Sequence, residues 1–386
     1  MKIAFITEHF NPGLGGAETY MSDFAKYLIS KGHEVHFYTQ DDLGEYEGIK
    51  FHIIKVTGLA KKVRWMQWLS FLKQARKESE KEAFDVVMGT GKCLGVNVFQ
   101  PHGGTVRASH RQNAILVRNP LHIFLKKLSN SISPKHMVAK WIEKQQYSNP
   151  KTVFVAISQM VRNHMKEFYN VPEGKIELVY NGIDTSKFSP ATDEERNEAK
   201  KQLGLPIDKV VYSVVAHNFK LKGIKEIIES AVLVKKAKEN FLIVVAGYGK
   251  QKNFIKQAEA AGVAENIKFL GAVNNPELVY KASDVYVQPT WYDPCSLVVL
   301  EALASGIPVI TSKFNGAGEF IDNGKEGYII SRPDAKEELS TAMINLFDKD
   351  LREEQGKAAR KKIEDQTLLR NFEQMLSVFE KASSLK

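Results

Sequence analysis

The feature that most constrains this chain is a strand–turn–helix pattern that runs, breaks once and starts again. An apolar strand, Ile3 to Ile6, meets the turn Asn11-Pro12-Gly13-Leu14-Gly15-Gly16, followed by apolar residues at Tyr20, Phe24, Tyr27 and Leu28. That spacing lays one buried stripe along a helix. Gly32 ends the helix and Glu34 to Thr39 begins a second strand, so the opening segment reads as a βαβ unit. Further strands are expected near Asp85–Met88, Val96–Gln100, Thr152–Ile157 and Ile176–Tyr180. Residues from Asn181-Gly182-Ile183-Asp184 to Ser189-Pro190 are turn-rich, and after a charged helix the alternation resumes at Val210–Val215. Ile224, Ile227, Ile228, Ala231 and Val232 then mark a helix, and strands are expected at Phe241–Ala246, Ile267–Leu270, Val285–Gln288 and Val309–Thr311. The fold class is therefore α/β, with two doubly wound, Rossmann-like parallel sheets. Ligands of such sheets bind beyond the carboxyl ends of the strands, which makes a cleft between facing domains the expected site.

At 386 residues the chain exceeds one ordinary core, in keeping with two domains. A hydrophobic share of 43% beside 26% charged residues is that of a globular protein. No apolar run approaches the roughly 18–20 residues that span a bilayer, and the opening Met1-Lys2-Ile3-Ala4-Phe5-Ile6-Thr7-Glu8 lacks a signal peptide's apolar core, so a cytoplasmic protein is expected. Cys93 and Cys295 are the sole cysteines, which removes a disulfide framework and a cysteine-rich zinc site; the HExxH metal pattern is absent too.

The net charge of +9 calls for an anionic partner. From Gly103 to Ile142 there are seven basic residues, Arg107, Arg111, Arg118, Lys126, Lys127, Lys135 and Lys140, and no Asp or Glu. Interleaved apolar stretches at Ala114–Val117 and Leu121–Leu125 suit an element lying on anionic lipid. A similar mixture at Lys61–Lys73 would place Trp65 and Trp68 at headgroup depth. The competing reading makes both segments amphipathic helices with their apolar faces in the core. No RRM, KH or helix-turn-helix signature supports nucleic acid as the partner.

Four places could carry chemistry. The Gly13–Gly16 loop lies between a strand and a helix, where free amides favour an anion, although Glu18 stands where a dinucleotide fingerprint has its third glycine; a ligand-free tight turn fits equally. The loop from Ala216 to Gly223 puts Lys220 and Lys222 just before a helix, as diphosphate ligands or as solvated surface lysines. In Asp293–Pro308, Asp293 reads as an N-cap, Pro294 as the first helical residue, and Gly306 with Pro308 as the stop. Glu301 is the one charge in that apolar helix, satisfied by ligand hydroxyls or by an unseen Arg or Lys. His102 follows an apolar strand and precedes two glycines, a position open to either a structural or a catalytic role.

Taken together, Gly15-Gly16-Ala17-Glu18, Gly32-His33-Glu34-Val35, Asn181-Gly182-Ile183-Asp184, Lys222-Gly223 and Glu301-Ala302-Leu303-Ala304-Ser305-Gly306-Ile307-Pro308-Val309 resemble the retaining GT-B glycosyltransferases of group 1, also called family 4, among them the lipopolysaccharide-core glucosyltransferases. The resemblance spans nearly the whole chain. It implies an acceptor-binding domain over residues 1–190, a donor-binding domain over 191–365 and a helix over 366–386 returning to the first domain, with Leu368, Leu369, Phe372, Leu376 and Phe379 at helical spacing. It also implies a carboxylate pair with seven residues between, here Asp293 for sugar hydroxyls and Glu301 for the ribose; the family's first member is usually Glu. The arginine that the family carries before Lys-Gly is replaced at that spacing by His217, leaving Lys220 and Lys222 with Gly15 and Gly16 for the diphosphate. Ser296, Leu297 and Gly247 join the donor site, and His102 orients the sugar or faces charge at its anomeric carbon. The implied reaction transfers a hexose from a nucleotide sugar, a UDP-sugar, to a membrane-associated glycoconjugate such as lipopolysaccharide core, with no metal or other cofactor. The implied location is the inner face of the cytoplasmic membrane, with Arg107, Arg111, Arg118, Lys126 and Lys127 forming the membrane or acceptor surface. An inactive nucleotide-sugar-binding or lipid-binding scaffold, and a nucleotide-sugar 2-epimerase, are the alternatives.

Overall fold

The computed structural model describes residues 1–12, 16–44, 46–116 and 132–385. Gly15, Arg118, Lys126, Lys127 and the apolar stretch Leu121–Leu125 lie outside the described residues. The chain divides into two compact units, Met1–Tyr180 with Leu369–Lys386, and Asn181–Leu368.

Among the described residues the first unit holds a seven-stranded sheet, from β1 (Lys2–Ile6), β2 (Glu34–Thr39), β3 (Lys50–Ile53), β4 (Val86–Gly89), β5 (Val98–Phe99), β6 (Val153–Ala156) and β7 (Ile176–Leu178). The order is β3-β2-β1-β4-β5-β6-β7, and every pairing is parallel. Its helices include α1 (Gly16–Ser30), α2 (Arg64–Ser79), α3 (Val106–Ile115), α4 (Pro134–Tyr147) and α5 (Gln159–Tyr169). The second unit has β8 (Val210–Val215), β9 (Phe241–Ala246), β10 (Ile267–Gly271), β11 (Val285–Gln288), β12 (Val309–Ser312) and β13 (Gly327–Ile330), all parallel in the order β10-β9-β8-β11-β12-β13. Around them run α6 (Asp193–Gln202), α7 (Ile224–Ala237), α8 (Gln251–Ala260), α9 (Pro276–Lys281), α10 (Leu297–Ala304), α11 (Lys336–Asn345) and α12 (Lys349–Ile363). The last helix, α13 (Leu368–Ser384), belongs almost wholly to the first unit.

Central strands such as Phe-Leu-Ile-Val-Val-Ala in β9 are buried at every position, because a parallel sheet covered on both faces needs apolar side chains on both. In the first unit Phe5 stacks on Phe37 at 4.8 Å, and Phe24 meets Phe372 and Phe379 of α13 at 5.3 and 5.5 Å. These rings fasten the terminal helix to α1, each pair adding about 0.5–1.5 kcal/mol beyond its buried area.

Two expectations are corrected. Asp293 is not an N-cap and Pro294 is not the first helical residue: α10 begins at Leu297 with Ser296 at the N-cap. The Asp293 amide instead donates to Phe314 O, and Gly316 N donates to Asp293 O, each at 2.9 Å, so tertiary pairing takes the backbone that a cap would use. Trp68 is not at headgroup depth either. It is 6% exposed and packs in a cluster with Leu72, Ala139 and Ile142, with Trp65 against the same cluster. Among the described residues no helix is long and apolar enough to cross a membrane.

The first unit also stores a pH dependence. Burial pulls His164 from 6.5 to about 4, with Arg111 adding to the shift, and burial does the same to His110 with help from His136 and Lys140. A histidine with a depressed folded value stabilises the fold above its unfolded value, and that stability is lost as pH falls toward the folded value. Thermal unfolding should therefore show the melting temperature falling between pH 6.5 and about 4, with His164→Gln flattening that decline.

Candidate functional site

In the second unit, β8, β9, β11 and β12 are parallel, so the segments that follow them gather at one edge of the sheet. Glycine lets their backbones touch. Gly223, with φ +82°, would place a Cβ 2.2 Å from Pro289 O, and Gly247, with φ +119°, would place one 2.0 Å from Ala216 O. No other residue fits either position. Trp291 N donates to Leu221 O at 2.8 Å and the Thr290 hydroxyl donates to the same oxygen at 3.1 Å, which locks the lysine loop to the segment carrying Asp293.

At that junction the Lys222 ammonium donates to Asp293 Oδ2. Gln288, fully buried at the end of β11, donates from Nε2 to Asp293 Oδ2 at 3.3 Å and to Ser296 Oγ at 3.1 Å. Its own Oε1 accepts from the Tyr286 hydroxyl at 2.8 Å, fixing the amide orientation. Asn315 Oδ1 accepts from Ser296 N, and Asn181 Nδ2 donates to Cys295 O at 2.9 Å, so the turn entering α10 is braced from two sides. The side chains of Lys222 and Asp293 are 19% and 11% exposed. A charge pair this sheltered is costly to leave half-made.

Glu301 on α10 accepts a hydrogen bond from the Tyr280 hydroxyl at 2.6 Å. Burial pushes its carboxyl above the ordinary range, while Tyr280 and then Lys187 pull it partly back. Neither sequence reading foresaw the phenol: among the described residues the hydrogen-bond partner is Tyr280, with Lys187 acting only through its charge.

In the first unit His102 follows β5. Gln100, fully buried, directs its Nε2 toward Met375 Sδ, so Gln100 Oε1 accepts from His102 Nε2 at 3.0 Å. That tautomer leaves Nδ1 as an acceptor. Burial lowers the imidazole to about 4, which keeps it neutral at pH 7.

Residues 195–362 match the family model Glycosyl transferases group 1, and residues 14–187 match Glycosyltransferase Family 4. The chain belongs to the group 1 glycosyltransferases. Among its relatives, lipopolysaccharide glucosyltransferase WaaG of Escherichia coli is 23% identical over 351 residues, covering 89% of this chain and 88% of WaaG. An uncharacterized glycosyltransferase of Methanocaldococcus jannaschii is 26% identical over 336 residues, covering 85% and 84%. A crystal structure of WaaG superposes with a TM-score of 0.82 at 19% identity over 98% of this chain and 99% of that one. The two sheets are thus those of the GT-B fold. HepE of Anabaena in complex with UDP and glucose follows at 0.72 and 17%, covering 98% and 99%.

Among the residues singled out from sequence, Lys222, Asp293 and Ser296 come together through Gln288. Leu297 is the first residue of α10, Gly247 follows β9, and Gly16 opens α1. Lys220 is exposed on the lysine loop, and His217 beside it stacks on Tyr248 at 5.9 Å. Arg107 donates to Phe168 O and Arg111 pairs with Glu167 at 2.6 Å, so both also fasten α3 to α5. The sequence reading missed Gln288 and Tyr280. A polar residue ending the apolar strand Val-Tyr-Val-Gln was the available signal for Gln288; nothing local marks Tyr280.

Proposed function

We propose that this group 1 glycosyltransferase is a retaining hexosyltransferase that takes a UDP-linked hexose to a membrane-associated glycoconjugate such as lipopolysaccharide core. The observation that carries the reading is the cation–carboxylate–amide cluster of Lys222, Asp293 and Gln288 at the carboxyl edge of the second sheet, where a parallel α/β sheet receives its ligands. Support comes from two relatives, the lipopolysaccharide glucosyltransferase WaaG and HepE, which has been crystallised with UDP-glucose. Lys222 and Lys220, with the amides of Gly15 and Gly16, neutralise the diphosphate; Asp293 takes sugar hydroxyls and Glu301 the ribose; Ser296, Leu297 and Gly247 complete the donor contacts. His102 offers its Nδ1 to a sugar hydroxyl. The C1–phosphate bond breaks as the acceptor oxygen bonds to C1 on the same face, and the acceptor proton passes to a phosphate oxygen of the leaving UDP. Positioning and charge stabilisation then supply the rate, without a metal.

The proposed working place is the inner face of the cytoplasmic membrane. Changing Arg118, Lys126 and Lys127 together to Gln should weaken sedimentation with anionic vesicles and leave nucleotide affinity unchanged; unaltered vesicle binding removes this surface from the account. The reaction itself is tested by NMR of the product made from UDP-α-hexose and a glycolipid acceptor. An α-linked product is expected. A β-linked product overturns retention, and bound donor with no transfer favours the scaffold.

A further inference from the structure

Beside the edge strand of the first unit's sheet, a second cluster takes no part in the proposed transfer. His36 on β2, His52 on β3 and Glu82 before β4 bring three potential ligand atoms within 4.8 Å of one another. His36 Nδ1 and His52 Nε2 are 2.8 Å apart. Glu34 accepts from His36 Nε2 at 2.8 Å, which commits that nitrogen as a donor and leaves Nδ1 with its lone pair toward His52. A carboxylate holding the far nitrogen of a histidine is the usual outer partner of a metal-bound imidazole. Packing holds both rings near this orientation: His52 stacks on Tyr38 at 4.3 Å and Phe84 meets the His36 ring edge-on at 4.9 Å.

We propose that His36, His52 and Glu82 form a divalent transition-metal site, best suited to zinc, that staples the edge strand β3 to β2 and to the segment entering β4. Zinc bonds of about 2.0–2.2 Å set tetrahedral donors roughly 3.3–3.6 Å apart, a spacing that lies between the 2.8 Å imidazole contact and the 4.8 Å outer limit, so small ring rotations suffice. His52 shifts its proton from Nε2 to Nδ1, and the metal replaces the hydrogen between the rings. Three protein ligands leave the fourth position to water. Lys2 opposes the site by pairing with Glu82 Oε2 at 2.6 Å, leaving Oε1 for the ion.

The test is calorimetric titration of the metal-stripped full chain with zinc chloride, and with cobalt(II) chloride read by its tetrahedral absorption. Wild type is expected to bind one equivalent with a raised melting temperature, His52→Gln and Glu82→Gln to weaken binding at least about tenfold, and Lys2→Met to tighten it. Should His52→Gln fail to fold, Glu82→Gln, at a partly exposed side chain, decides. Absence of stoichiometric binding by wild type, or wild-type affinity in the Glu82→Gln variant, overturns the site.

Discussion

Replacing Lys222 with Met is expected to lower kcat/KM for sugar transfer on the order of a hundredfold, equivalent to about 2.7 kcal/mol of transition-state stabilisation. In the proposed transfer negative charge grows on the diphosphate as the C1–phosphate bond breaks, and Lys222 is a sheltered cation at the carboxyl edge of the sheet. The same change leaves the Asp293 carboxylate, 8% exposed as a residue, with only the Gln288 amide from the cluster, which should also cost roughly 1–3 kcal/mol of stability. Adding Asp293→Asn to the Lys222→Met variant should restore the melting temperature, which assigns the stability cost to the unpaired carboxylate. Steady-state kinetics and thermal unfolding measure both. Near-normal turnover by Lys222→Met would remove the lysine from the reaction.

Glu301→Gln is expected to reduce transfer at least about tenfold, because a charge-assisted hydrogen bond to a donor hydroxyl is worth roughly 1.5 kcal/mol or more. Its stability should move the other way. Burial raises the Glu301 carboxyl above its unfolded value, so the fold binds the proton more tightly, and the stability from that proton is lost as pH rises through the folded value. Burial thus disfavours the ionised carboxyl, a cost that the neutral amide avoids while still accepting from Tyr280. A variant that melts at or above the wild-type temperature yet transfers poorly identifies a functional charge held against the interests of the fold. Falling activity with a falling melting temperature would mean that Glu301 serves packing.

The fold was legible because long apolar strands leave a strong signature: Val210–Val215, Phe241–Ala246 and Val285–Gln288 have the bounds their sequences suggest. The edge strands β3 and β13 were not. Lys50-Phe51-His52-Ile53 and Gly327-Tyr328-Ile329-Ile330 are four residues each, and edge positions need fewer apolar side chains. At the candidate site the residue types were legible and their partners were not. Asp293 carries every local mark of an N-cap, and only the pairing of its backbone with Phe314 and Gly316 assigns it elsewhere. Trp68 likewise reads as interfacial beside Arg64 and Lys73 until α4 supplies Ala139 and Ile142 to cover it. In each case a contact distant in sequence outweighed a local preference.

In the proposed reading the second unit binds a nucleotide sugar through the Lys222–Asp293 junction and Glu301. Isothermal titration of the full chain with UDP-glucose, alongside GDP-mannose and UDP alone, tests it most directly when repeated on Lys222→Met and Glu301→Gln. Saturable binding of the UDP ligands by wild type and a loss of at least about tenfold in each variant are expected. No binding of any nucleotide or nucleotide sugar by wild type, or equal affinity in all three proteins, would contradict it.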